Sequence, residues 1–290
     1  MELAQVYGRL GEKALAQELM KGLTGSAGGD SGQDIFASAL KNDIDPTQTE
    51  NDAQQVLYDI GGQFDSGELD RLGPSAFSSM RLVAMAWARM GWAKFQRGEN
   101  LAAMQFLTSA WLLSQSGTVG NRLGQVLEKQ GQPEKARHMY ALAVAAGGSD
   151  IQDSRARLAK LEGDSGVAEK SVVEKSAAEK ELAQAAVELV QTRTVKLGPI
   201  VISSKPVSAR FNLVFDSSPR PERAEFVDGD ESLRSAAEQL REKDFPVRFP
   251  DVSSVKIVRR GLLSCGASGC SIELLPIDKE SSSGNTPNAH

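Results

Sequence analysis

The chain has 290 residues, of which 40% are hydrophobic and 24% charged, an ordinary composition for one or two globular domains. The formal net charge is -5, and basic residues are mixed with acidic ones, which argues against a nucleic-acid partner. No apolar run approaches the roughly 20 residues that span a bilayer, and residues 1–4 lack the pattern that begins a signal peptide.

Residues able to perform catalysis or bind metal are scarce. The sequence contains only two histidines, His138 and His290, and two cysteines, Cys265 and Cys270. A nucleophile with its base, or a histidine and cysteine metal site, needs more such side chains within reach of one another. We therefore predict no catalytic residue, no metal site and no cofactor.

The first 23 residues predict part of a helical hairpin. Gly11 is placed to supply a turn, and Ala16 to pack between two helices. Leu3, Tyr7 and Met20 fall at positions that fit the same helical hairpin. The first helix of such a hairpin would begin before Met1, so we expect the chain to be the C-terminal part of a longer protein. The alternative is a capping unit of atypical form.

The section between Gly11 and Gly98 predicts an irregular helical insertion. Residues 24–33 are polar and rich in Gly and Ser, which is typical of a loop. Helical periodicity follows at 35–40, at about 48–64 and at about 73–97.

Two segments 33 residues apart carry small residues at matching positions. Gly91 and Gly124 would let two helices approach closely, and Gly98 and Gly131 would supply turns. The alanines on the packing face are Ala103, Ala110, Ala136 and Ala143. Large apolar residues would fill the space between hairpins: Trp87, Met90, Leu107, Leu123, Leu127 and Tyr140.

This order of aromatic, small and turn residues resembles the tetratricopeptide repeat. The resemblance places repeats at about 84–116 and 117–150, with a partial repeat at 1–23, although Lys94 stands where an aromatic residue is usual. It implies that residues 1–162 form a stack of helical hairpins, which the amphipathic stretch 150–162 would close.

Two further regions follow the repeats. Residues 163–192 contain Glu-Lys pairs and predict a charged helical linker, a solvated spacer that is apolar on one side near its end. Residues 193–279 predict a small α+β domain with one helix on a mainly antiparallel sheet, and residues 280–290 predict a disordered tail. The expected elements are strands Val195–Ile202, Ala209–Phe215 and Arg223–Val227, helix 231–243, and strands Val255–Ser264 and Ser271–Leu275.

Two further resemblances involve the C-terminal part of the chain, and the second of them extends over nearly all of it. One segment resembles part of the C-terminal domain of TonB-type proteins. It consists of Phe226–Asp230, the predicted helix 231–243 and then Phe245–Val247. Nearly the whole chain is similar to the C-terminal region of bacterial tetratricopeptide proteins that carry an upstream transglutaminase-like domain. That similarity is carried by three segments, Ala110–Gln115, Val195–Gly198 and Val258–Gly261. The catalytic segments of the upstream domain are absent from this sequence, so the resemblance implies no activity.

Cys265 and Cys270 flank a four-residue loop at the end of a predicted hairpin. Such a loop would bring the two side chains within reach of a disulfide, and we predict one. The alternative is a pair of reduced, buried thiols. A disulfide would favour an oxidising compartment such as the periplasm or cell envelope, and the alternative location is the cytoplasm.

The resemblance to tetratricopeptide repeats implies a groove lined by the first helix of each hairpin. Trp92 and Phe95 would offer apolar contacts to a peptide, and the next hairpin would offer Asn121, Gln125, Glu128 and Lys129. Alternatively, the aromatic residues pack against the neighbouring insertion helix. The basic set that grips a terminal carboxylate in some family members is incomplete. For the pairs Asp228/Asp230 and Asp43/Asp45 we predict turn and cap roles.

These observations favour a non-enzymatic scaffold that binds a peptide or protein through the repeat groove. One alternative is the accessory C-terminal part of a transglutaminase-like peptidase. A second is a TonB-like coupling or sheet-augmenting module, with the repeats as a spacer.

Overall fold

A helical part and a sheet follow one another along the chain. The computed structural model describes residues 46–67, 72–148, 150–163, 172–198, 206–251, 255–267 and 269–277. Within these ranges, a mostly helical N-terminal part precedes a small antiparallel sheet of five strands. The partial repeat at 1–23, the loop at 24–33, the helix at 35–40 and the tail at 280–290 lie outside the described residues.

Among the described residues, seven helices make up the N-terminal part and its connection to the sheet. They are α1 (Pro46–Asp65), α2 (Pro74–Gln96), α3 (Asn100–Ser114), α4 (Gly117–Lys129), α5 (Pro133–Ala146), α6 (Ile151–Gly163) and α7 (Val172–Gln191). Pro74 and Pro133 begin their helices, where the missing N–H costs nothing. Gly98 and Gly131 follow α2 and α4 with φ of +81° and +70°, which confirms their predicted turn role.

Small residues set the close packing of consecutive helices. A Cβ on Gly91 would lie 2.7 Å from Leu107 Cγ, so α2 and α3 are in direct contact there. A Cβ on Gly124 would lie 2.4 Å from Tyr140 Cε1, which places α4 equally close to α5. Trp87, Leu107 and Tyr140 are fully buried. Helix α1 packs against α2, and α6 packs against α5.

Helix α7 lies along α5. Its side chains Ala185 and Leu189 are buried. At the margin, His138 Nε2 lies 3.0 Å from Glu188 Oε1, and Arg137 donates to Glu181 at 3.3 Å. The helix predicted as a solvated spacer is therefore attached to the helical part over its C-terminal half, because its apolar side meets α5 there.

The sheet has the strand order β1-β5-β4-β2-β3, and every neighbouring pair is antiparallel. The predicted succession of three strands, a helical segment and two strands is confirmed. The elements are β1 (Thr194–Leu197), β2 (Val207–Phe215), β3 (Pro221–Gly229), a 3-10 turn (Glu231–Leu233), α8 (Ala236–Arg241), β4 (Ile257–Gly266) and β5 (Gly269–Leu274).

Both faces of the central strands are covered. On one face, Phe215 packs edge-on against Phe245 at 5.6 Å between ring centroids. On the other face, Arg260 of β4 lies 4.3 Å from the ring centroid of Phe77 in α2. Near that contact, Val258 N–H donates to Met80 Sδ at 3.1 Å. The sheet is thus packed directly on the N-terminal half of α2.

Candidate functional site

Helices α2 and α4 form a partly exposed surface that joins an aromatic side chain to basic and polar ones. We call it the α2–α4 face and define it by Arg89, Trp92, Arg122, Gln125 and Lys129. These residues follow one another at intervals of three or four along each helix, so they share one side of it. They are half-buried, except Lys129, which is exposed.

Trp92 is the aromatic centre of this face. Its ring lies 5.1 Å from that of Phe95, and the Arg122 guanidinium lies 5.2 Å from its centroid. A guanidinium at this distance is attracted to the negative face of an indole. Phe95 is partly buried against the core. Both predicted aromatic anchors are half-buried, and of the two it is Phe95 that packs against the core.

Asn121 occupies a different environment from the one expected of a peptide contact. Its side chain is 3% exposed and donates to Asp153 at 2.9 Å and to Ser154 at 2.8 Å. Its oxygen accepts from Gln125 Nε2 at 2.6 Å. Asn121 therefore joins α4 to α6, and a peptide would reach its amide only if α6 moved away. Gln125, half-buried beside it, stays on the α2–α4 face.

Glu128 also serves contacts within the chain. It accepts from the Tyr140 hydroxyl at 2.6 Å and from Arg157 at 3.1 Å. Burial and the nearby Glu128 carboxylate raise the pKa of Tyr140, so this hydroxyl stays protonated. Burial raises the pKa of the Asp153 carboxyl, but hydrogen bonds from Asn121 and Arg157 outweigh it and lower the pKa overall. Both carboxylates are thus committed to the helix packing.

The prediction from sequence missed Arg122, the residue that contacts Trp92. The signal was present, because Arg122 follows Arg89 by 33 residues, the same interval that separates Gly91 from Gly124. A search for repeated charged residues, in addition to small and aromatic ones, would have found it.

The cysteines and Asp230 take the predicted places in the C-terminal part, whereas Asp228 lies within strand β3 and has no turn or cap role. Cys265 and Cys270 are opposite residues of the β4–β5 hairpin, buried, with their sulfurs at disulfide distance, 2.04 Å. Asp230 caps the 3-10 turn by accepting from the Ser232 N–H at 3.0 Å, and Ser232 lowers its pKa. Asp228 pairs with Arg210. The predicted cap role of Asp230 is confirmed, whereas Asp43/Asp45 lie outside the described residues.

Metal clusters and membrane-spanning helices are both absent from the part of the chain that the structure describes. There, no three side chains of His, Cys, Asp or Glu are grouped so as to hold a metal ion. None of the helices described is both long and apolar enough to cross a membrane. Comparison with known proteins gave no match, whether to a family model, to a curated protein or to a solved structure.

Proposed function

We propose that this chain is a non-enzymatic interaction scaffold of the tetratricopeptide type, which binds a peptide or a protein segment through the α2–α4 face. The observation that supports the proposal most directly is the matched packing of two glycines. Gly91 meets Leu107 and Gly124 meets Tyr140, in each case 16 residues later in the chain. The two contacts are themselves 33 residues apart, as expected of consecutive repeats.

The composition of the α2–α4 face supports peptide binding. Tryptophan and arginine are the residues that most often dominate binding energy at protein interfaces. Trp92 and Arg122 combine these two types in one contact, at 5.2 Å, on a half-buried surface. The aromatic ring offers apolar area, and the guanidinium and Gln125 offer hydrogen bonds to a peptide that lies across the two helices.

We further propose that the protein works in an oxidising compartment such as the bacterial periplasm or cell envelope. The support is the buried cysteine pair of the β4–β5 hairpin, at disulfide distance. Structural disulfides persist in such compartments and are rare in the cytoplasm. The cytoplasm is the alternative location.

Selection from a random peptide display library with the full chain would test the proposed binding. Enriched peptides would be titrated against the native protein and against the variants Trp92→Ala and Tyr58→Ala. Tyr58 is a matched control because it is an aromatic residue of α1 that is 73% exposed. Trp92→Ala is expected to weaken binding about tenfold or more, since it removes the aromatic anchor, whereas Tyr58→Ala should leave the affinity unchanged.

Two results would contradict the proposal. One is the absence of any enriched peptide that binds in solution. The other is a set of peptides whose affinity is insensitive to Trp92→Ala in a variant that keeps the native helical content and unfolding transition. Arg122→Gln is a second variant for the same face, and it removes the guanidinium that lies 5.2 Å from the Trp92 ring centroid.

A further inference from the structure

Strand β3 forms one edge of the sheet. In the strand order β1-β5-β4-β2-β3, its neighbour among the described strands is β2 alone. The opposite edge strand, β1, has four residues, whereas β3 has nine, and every residue of β3 after Pro221 is half-buried or exposed. An edge strand presents backbone N–H and C=O groups with which a further strand can pair. β3 is therefore the longer of the two edges at which the sheet can be extended.

The backbone groups of β3 alternate between β2 and the outer edge. The Asp230 N–H donates to Ser208 O at 2.9 Å, which turns the backbone groups of Ala209 toward β4. The residues two and four positions further along β2 do the same, because β2 pairs with β4 without a break. Their partners in β3 are Phe226 and Ala224, and these two residues therefore direct their N–H and C=O groups toward the outer edge.

Two oppositely charged side chains flank Ala224. Arg223 and Glu225 lie on one face of the sheet, where an ion pair joins Arg223 Nε to Glu225 Oε1 at 3.1 Å. The side chains are 35% and 44% exposed, so both are accessible beside the edge. The segment that leads into α8 packs on the other face, where Arg234 lies 4.2 Å from the Phe226 ring centroid. The edge thus presents one charge of each sign, instead of a repulsive row of like charges.

The charges select one register for two antiparallel copies of β3. Outward-facing residues must oppose one another to form hydrogen bonds, so the pairing must be centred on a residue. When it is centred on Ala224, Arg223 of each copy is opposite Glu225 of the other. When it is centred on Arg223 or Glu225, that residue is opposite its own copy. Because opposite charges across a strand pair are favourable and like charges are not, the register centred on Ala224 is the complementary one.

We propose that two copies of this chain associate through β3, in antiparallel pairing centred on Ala224, so that one sheet continues through both. Arg223 and Glu225 of the two copies would form a symmetric network of four charges, in which the ion pair within each strand is retained. This inference goes beyond the proposed function, because no residue of the interface belongs to the α2–α4 face. A dimer of this kind would carry that face twice and would bind a partner with two copies of a peptide more tightly than a monomer does.

Sedimentation equilibrium of the full chain, together with charge variants, would test this inference. We expect the native chain to show a concentration-dependent equilibrium between monomer and dimer. Arg223→Glu and Glu225→Arg each make the charges beside Ala224 alike, so each should weaken self-association about tenfold or more. The double variant with both substitutions should restore it, since opposite charges again face each other. Glu238→Arg is the matched control, because it reverses an exposed charge in α8 and should leave self-association unchanged.

A mixing experiment separates a lost interface from a lost fold. In an equimolar mixture of the Arg223→Glu and Glu225→Arg variants, an acidic edge would meet a basic one in the register centred on Ala224. We therefore expect a heterodimer, which native mass spectrometry would distinguish from either homodimer by its mass. Circular dichroism and the urea unfolding transition of each variant would show that the native fold is kept.

Four results would overturn the inference. The first is a native chain that stays monomeric at the highest concentration at which it is soluble. The second is a dimer that is insensitive to both single charge variants, and the third is the absence of a heterodimer from two natively folded variants. The fourth is self-association that Trp92→Ala abolishes while both charge variants retain it, since the contact would then involve the α2–α4 face.

Discussion

The ring of Tyr140 occupies the space into which a side chain on residue 124 would project. A Cβ on Gly124 would lie 2.4 Å from Tyr140 Cε1, closer than two carbon atoms can approach. The ring has little room to retreat, because Tyr140 is fully buried and its hydroxyl donates to Glu128 at 2.6 Å. The absence of a side chain at 124 is thus a condition for the α4–α5 contact.

Gly124→Ala should therefore destabilise the protein. Overpacking of this kind costs about 1–3 kcal/mol in the free energy of unfolding, which urea denaturation followed by circular dichroism would measure. Gly62→Ala in α1 is the control, since a Cβ at that position would meet open space beyond its own helix backbone. Because alanine has a higher helix propensity than glycine, Gly62→Ala should raise the free energy of unfolding by about 0.5–1 kcal/mol. Equal effects of the two substitutions would contradict the proposed role of Tyr140.

The ion pairs of Glu50 should contribute to the free energy of unfolding in a way that depends on pH. Glu50 joins α1 to α2 through Lys94, at 2.7 Å, and through Arg97. Burial raises the pKa of this carboxyl, but the two cations outweigh it and lower the pKa below 4.5. The pKa of Glu50 is thus lower in the folded state than in the unfolded state, so its ion pairs stabilise the fold above about pH 4.5. This stabilisation is lost as the pH falls through the folded-state pKa.

Glu50→Gln should accordingly lower the free energy of unfolding by about 0.5–1 kcal/mol at pH 7, and by less at pH 3. Urea denaturation at both pH values would measure the difference. Asp59→Asn changes an exposed carboxylate of the same helix and serves as the control. A Glu50→Gln effect of the same size at both pH values would show that the charge is unimportant.

Gln115 connects three elements at the end of α3. Its amide donates to Leu189 O at 2.8 Å and to Thr192 Oγ1 at 2.9 Å, and its oxygen accepts from Arg193 at 2.8 Å. Arg193 also bonds Glu273 of β5 at 2.9 Å. Gln115 thus ties α3 to the end of α7 and, through Arg193, to β5 of the sheet.

Gln115→Ala should loosen this junction without unfolding the helices. Each lost hydrogen bond is worth about 1 kcal/mol, so amide hydrogen exchange over residues 186–197 should become several-fold faster, whereas exchange in α2 stays unchanged. Gln152→Ala, at an exposed position of α6, is the control. Unchanged exchange at 186–197 in Gln115→Ala would show that other contacts hold the junction.

Cys265 and Cys270 face each other across the β4–β5 hairpin and are both buried. We expect the purified protein to contain no alkylatable thiol when denatured without reductant, and two after reduction, which intact mass measurement would show. Replacement of both cysteines by serine should cost about 2 kcal/mol of stability, the value for a short closed loop. Two alkylated thiols before reduction would contradict the predicted disulfide.

The sequence predicted local structure well where the periodicity was strong. The helix expected at about 73–97 is observed at Pro74–Gln96, and the five strands appear in the predicted order. Gly98 and Gly131, predicted as turn residues, have positive φ, because such backbone conformations strongly favour glycine. Each of these features depends on a residue and its near neighbours in the chain, which is why the pattern of residue types revealed them.

Only the tertiary structure decided which helix or strand covers a given side chain. Sequence predicted that the end of α7 is apolar on one side, but only the folded chain shows that α5 buries Ala185 and Leu189 there. Asn121 had a polar side chain suited to binding, yet α6 encloses it. Periodicity determines which side of a helix will be buried, whereas the choice of partner depends on contacts between residues far apart in the chain.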